Sequence, residues 1–194
     1  MEPNVKVWEL RNGQVEETAM LVYANDDEMR SGMFAADGRP VEWRTRPTLD
    51  VFIEPRRKKA KPRADISALQ PGALVLNARA YQVLGSVLAP FGQLLEVNVD
   101  GEVEYFYNVT NVVDCIDQDK SVKRGSGAIS REAFFEGKVP VAPAIFKDPK
   151  TARSRIYAND AAKEMLEKLI VGASLVGVAF CEPGAASTGQ KSQG

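Results

Sequence analysis

Short apolar runs punctuated by Gly, Pro, Asn and Asp dominate this chain, and their period is closer to two than to 3.6. Val5-Lys6-Val7-Trp8-Glu9-Leu10 alternates and predicts a strand, with Asn12-Gly13 as the turn after it. Ala19–Tyr23 and Leu49–Ile53 read as two more strands, the second stopped by Pro55. Between them, Asp26-Asp27-Glu28 with Ser31-Gly32 reads as a polar loop, and the stretch through Asp37-Gly38-Arg39-Pro40 as irregular. Leu74–Leu76, Ile145-Phe146, Arg155–Tyr157 and Leu175–Phe180 complete the short strands. Strand character also runs from Val112-Val113 into Asp114–Ser121, ahead of a loop at Arg124–Gly127.

Two segments carry a helical period. Ala80, Val83, Leu84, Val87 and Leu88 form one apolar stripe behind Asn77, a residue suited to N-capping, and Pro90 ends the segment. Ala162, Met165, Leu166, Leu169 and Ile170 form the second stripe behind Asn159, with Gly172 as the expected C-cap. Strands outnumber helices and no sustained βαβ alternation is present. The pattern therefore predicts an α+β fold, a mostly antiparallel sheet with two or three helices.

Leu94–Tyr107 reads as a β-hairpin about Asp100-Gly101. A two-residue loop pairs Val99 with Glu102 and Val97 with Glu104, placing charge on an apolar face. A three-residue loop pairs Val99 with Val103, Val97 with Tyr105 and Leu95 with Tyr107. The second register keeps one face apolar and is the one the pattern favours.

Composition adds several bounds. The 194 residues are 44% hydrophobic and 26% charged, with a net charge of −1. A chain of this length buries about 70% of its unfolded surface and needs no disulfide or metal to fold. The near-neutral balance provides no global field toward nucleic acid or an anionic membrane. The start lacks a secretory signal, no apolar run is long enough to span a membrane, and Cys115 and Cys181 read as buried thiols. These features point to a reducing cytoplasm. The organisation expected is a β-rich part over 1–55, a basic linker or loop over 56–63, a main α+β body over 64–181 and a disordered tail over 182–194.

Charge is unevenly distributed. Arg56–Arg63 carries six cations and no acid, which suits a solvated linker, with a nucleic-acid patch as the sharper alternative. Between Arg79 and Lys120 there is no cation, while seven acids occur: Glu96, Asp100, Glu102, Glu104, Asp114, Asp117 and Asp119. These seven are the candidate partner-binding residues, a negative patch that would steer a basic partner. The competing reading is a solvated face that keeps a sheet soluble.

Histidine is absent, which excludes Ser-His-Asp and Cys-His catalysis and histidine metal ligation. No phosphate-binding glycine loop and no nucleophile elbow occurs. Asp114, Asp117 and Asp119 have calcium-ligand chemistry but not the Gly and distal Glu of an EF-hand, so capping is the commoner role. The residues therefore assign no catalytic, cofactor or metal site.

Val113, Asp114, Ile116, Asp117 and Ser121 follow the hydrophobic run Tyr105–Val112 in a V-D-x-[LI]-D-x-x-x-S pattern. This segment resembles the immunity-protein family of bacterial polymorphic toxin systems typified by a Myxococcus protein. Further pieces fall in matching order: Ala64-Asp65-Ile66, Leu74–Leu76 with its helix, Ile145-Phe146, Ile156–Asp160 and Gly177–Phe180. The resemblance covers roughly residues 64–180 and not the first 63. It implies a non-enzymatic protein that binds and neutralises a cognate toxin, itself expected to be basic, and protects the producing cell. The charge balance and the absence of a spanning apolar run predict no nucleic-acid or membrane partner. The rival readings are an enzyme using carboxylates or a divalent ion, and a structural adaptor that self-associates.

Overall fold

A computed structural model describes residues 5–13 and 16–185. Twelve strands and three helices occur among them, an α+β arrangement with mostly antiparallel sheets. β1 (Val7–Asn12), β10 (Ile145–Phe146), β11 (Tyr157–Asn159) and β12 (Val178–Cys181) form a four-stranded antiparallel sheet in the order β10-β11-β1-β12. β2 (Leu21–Tyr23), β3 (Thr48–Val51), β4 (Ile66–Ser67), β5 (Leu74–Leu76), β6 (Gly92–Val99) and β7 (Glu102–Val109) form a six-stranded sheet in the order β2-β3-β6-β7-β5-β4. Only β3 and β6 run parallel in it. Its two ends approach each other, because the Leu21 N–H donates to the Ala68 carbonyl just beyond β4 at 2.8 Å. β8 (Ile116–Lys123) and β9 (Ile129–Phe134) form a separate two-stranded ribbon. The first 55 residues thus supply strands to both larger sheets.

The helices form where the sequence places their caps. The Asn77 Oδ1 accepts the Ala80 N–H at 2.8 Å and opens α2 (Ala78–Leu88). The Asn159 Oδ1 accepts the Ala162 N–H at 3.0 Å and opens α3 (Asp160–Gly172). The C-cap of α3 differs from expectation. The helix continues through Gly172, and the left-handed residue is Ser174 at φ 51°. The Leu175 N–H reaches the Ile170 carbonyl and the Ser174 N–H reaches Val171, a Schellman closure sealed by the buried Leu175. The supposed polar loop at residue 26 is a short helix, α1 (Asp26–Arg30), capped by Asn25.

Burial divides into three layers. Leu84, Leu88 and Leu166 pack with Leu10 of the four-stranded sheet, with Ile156 just before β11, and with Leu74, Tyr107 and Val109 of the six-stranded one. Full burial of each such side chain contributes about 1.5–3 kcal/mol. The opposite face of the six-stranded sheet, Val75, Val97, Val99 and Phe106, is covered by Phe34 and Trp43 from the N-terminal segment. The outer face of the four-stranded sheet, Val7, Phe146 and Tyr157, is covered by Cys115 and Ile116 at the root of the ribbon. Glu182–Ala185 make a turn against β9, with the Gly184 backbone beside Ser130 and Arg131. The rest of the expected tail, 186–194, lies outside the described residues.

Candidate partner-binding surface

The β6–β7 hairpin uses the register that the apolar pattern disfavours. Val99 faces Glu102, Val97 faces Glu104 and Leu95 faces Phe106, around a two-residue loop. Asp100 at φ 50° and Gly101 at φ 84° are both left-handed, as a type I′ turn requires, and that turn matches strand twist. The charge this puts on the Val97 and Phe106 face is compensated. Both Glu104 carboxylate oxygens accept from Arg63 Nη2 at 2.8 Å, and Arg63 also reaches the Ser67 hydroxyl. Burial pushes the Glu104 pKa up, and the Arg63 guanidinium opposes that rise.

Such compensation recurs at three more of the seven candidate acids. Glu96 is exposed and accepts from Arg46. Asp114 accepts from Lys150, which holds its carboxyl below the ordinary range. Asp117 is buried and has Lys120 at 3.7 Å. Asp100, Glu102 and Asp119 are exposed, and none has an ion pair among the described residues. Asp100 and Glu102 sit at one end of β7 and Asp114 follows the other, roughly 24 Å along the strand at about 3.4 Å per residue. The acids therefore do not form one continuous patch. The compensating cations come from residues 46, 63, 120 and 150, all outside the acid-rich window.

Asp117 and Ser121 together build a feature that their spacing alone does not display. Asp117 pairs with Ala133, but the next ladder pair is Val122 with Arg131, so β8 carries a bulge over Gln118–Ser121. The Asp117 Oδ1 accepts the N–H groups of Asp119 (3.1 Å) and Lys120 (3.2 Å). The Ser121 hydroxyl donates to the Asp117 carbonyl at 2.6 Å and accepts the Ala133 N–H at 3.0 Å. These side chains replace the ladder bonds the bulge removes. The result is a ribbon in which every residue from Gln118 to Ala128 is exposed except the half-buried Ser121. It presents Asp119, Val122, Lys120, Lys123 and Arg124.

The root of this ribbon is held by buried polar groups. Asp148 is fully buried and accepts the N–H groups of Cys115 (2.8 Å), Ile116 (2.7 Å) and Lys150 (2.9 Å). From β9, the Glu132 carboxylate accepts from the Tyr157 hydroxyl at 2.9 Å and from Arg155 Nη1 at 2.8 Å, and Arg155 also meets Glu9 at 3.3 Å. Burial raises the Glu132 pKa against the pull of Arg155. Lys147 is fully buried and donates to the carbonyls of Gly72 (2.7 Å), Ala152 (2.8 Å) and Ala36, tying the N-terminal segment to the ribbon's base. Burial pulls its ammonium down to about 8. Burial, followed by the Asp148 charge, pushes the Cys115 thiol up to about 12.

The sequence pattern missed Arg46, Arg63, Asp148 and Glu132, which have no local signature. Ser121 stands out in the sequence through the resemblance and through its neighbour Lys120, and neither signals its place in the bulge. Among the described residues no group of three or more Cys, Asp or Glu is placed to hold a metal ion. No helix there is long and apolar enough to cross a membrane. No family model and no curated protein matches this chain.

Proposed function

We propose that this protein is an immunity protein that binds a cognate bacterial toxin domain and neutralises it by contact, acting in the cytoplasm without catalysis. The observation that carries this reading is the bulged β8–β9 ribbon. The V-D-x-I-D-x-x-x-S segment that prompts the family resemblance is the segment that builds it. Val113 and Ile116 fix its root, Asp117 and Ser121 set the bulge, and the side chains between them are presented to solvent. A pre-ordered, exposed ribbon suits tight association, because little ordering entropy is lost on binding.

Asp119 with Gln118 and Lys120 forms the principal contact set, and Asp100 and Glu102 form a second acidic contact at the β6–β7 tip, while Glu96 stands on the other face, paired with Arg46. Glu104 and Asp117 position these surfaces from inside. The test begins with capture from the native bacterium, followed by calorimetry on the purified pair. A one-to-one complex weakened by charge reversal at Asp119 and Lys120 supports the reading. A complex indifferent to both the ribbon and the tip contradicts it.

A further inference from the structure

A second surface lies where β2 and β3 meet the basic run, which the sequence presents as a solvated linker or loop. The Phe52 N–H donates to the Met20 carbonyl at 2.9 Å, extending the β2–β3 ladder so that these two side chains stand directly opposite each other. Leu21 and Val51 beside them turn inward to the core, so Met20 and Phe52 face out, 43% and 41% exposed. Met20 also lines an apolar groove of about 300 Å³ between the two large sheets, with Leu69, Pro71, Leu74 and Ile156 among its walls. On its other side Met20 and Phe52 line a smaller notch closed by Glu54, Arg57 and Lys61.

The basic run borders this notch and is held in place. The Ala19 N–H donates to the Pro62 carbonyl at 2.9 Å, and the Arg57 N–H to Glu54 at 2.8 Å. Glu54 accepts from Arg57 Nε at 3.0 Å and Lys61 Nζ at 2.6 Å. Arg56, Lys58 and Lys59 are exposed, and none has an ion pair among the described residues. Among the described residues Glu16 and Glu17, which precede the notch, pair with none of these cations, and positive charge stays in excess. The exposed Met20–Phe52 pair thus has the apolar groove on one side and, on the other, a held loop of net positive charge, an arrangement complementary to one kind of partner.

We propose that the groove beside Met20, the exposed Met20–Phe52 pair and the Arg56–Lys61 loop form a docking site for an acidic segment of a partner polypeptide bearing a bulky apolar side chain. The apolar side chain enters the groove beside Met20, and the flanking carboxylates meet Arg56, Lys58 and Lys59. This site is independent of the toxin-neutralising reading and uses none of the ribbon residues.

The experiment selects displayed random linear peptides on the full chain, then measures synthetic copies of the recovered peptides by fluorescence anisotropy. The expected peptides combine Asp or Glu with Leu, Ile, Phe or Met. Their binding weakens by about tenfold or more in R56E/K58E/K59E and in F52S, and the charge-reversed variant loses salt dependence. All four positions are exposed, and an unchanged thermal transition verifies that each variant is folded. Failure to recover any peptide, peptides without acidic bias, or binding unchanged in the variants overturns the proposal. Tighter binding to phosphatidylserine vesicles or to a poly-uridylate strand than to the best peptide overturns the assignment to a polypeptide.

Discussion

Replacing Arg63 with Ala isolates the interaction that allows the β6–β7 register. Glu104 has a side chain 7% exposed and accepts two bonds from Arg63, which is itself 27% exposed. Removing one partner of a buried pair costs about 3–5 kcal/mol, and the partial access of water to Arg63 places this case near the lower end, at about 3 kcal/mol. For a chain of this size that lowers Tm by roughly 6–12 °C. The pH dependence has a definite sign. Burial already raises the Glu104 pKa above 4.5, and losing Arg63 raises it further. A carboxyl with a raised folded pKa adds stability below its unfolded value, and that contribution is lost as pH rises through the folded value. The deficit of R63A is therefore largest at neutral pH and narrows as pH falls toward 4.5. Urea unfolding followed by tryptophan fluorescence reads this, because Trp43 packs 5.7 Å from Phe106 on the same face. The double variant R63M/E104L removes both charges and recovers most of the loss. A deficit below about 0.5 kcal/mol, or one that widens on acidification, refutes the reasoning.

Three further predictions follow from the geometry. S121A removes both bonds that stabilise the bulge and costs about 1–2 kcal/mol; the Ala133 amide should lose hydrogen-exchange protection while α2 amides keep theirs. G177A places a Cβ 2.0 Å from the Ile66 carbonyl oxygen at φ +106°, so it should cost more than about 3 kcal/mol or prevent soluble expression, whereas G125A, in open space, should not. Burial lowers the Lys147 pKa from 10.5 to about 8, so between those values the unfolded chain holds the extra proton and stability rises with pH; wild type should gain on K147M from pH 8 to 9.5, measured by urea midpoints.

The elements that sequence made legible are those determined locally. Asn77 and Asn159 cap the helices they precede, and the stripes behind them point into one core. The α+β class follows from strand-length apolar runs. Misread features depend on distant residues. The hairpin register turned on Arg63, 41 positions from Glu104, which made charge acceptable on an apolar face. The acid-rich window looked like a patch because its cations, Arg46, Arg63 and Lys150, arrive from other segments. β9 escaped notice because its alternation includes the buried Glu132, satisfied by Tyr157 and Arg155 from β11 and the turn before it. The cap of α3 moved to Ser174 because Leu175 closes the turn by burial.

The ribbon has two kinds of residue, and they should separate experimentally. Asp117 and Ser121 act on its shape, while Gln118, Asp119 and Lys120 are available to a partner. Substitutions of the first kind should change stability and binding together. Substitutions of the second kind should change binding alone.

The central claim is tested most directly by growth rescue. The toxin domain captured from the native bacterium is expressed from an inducible promoter in a sensitive host, with wild-type chain, D119K/K120E or empty vector. The account predicts growth with the wild-type chain, and loss of protection with D119K/K120E at equal soluble expression. Toxicity that persists in the presence of the wild-type chain, despite a stable complex, would contradict it.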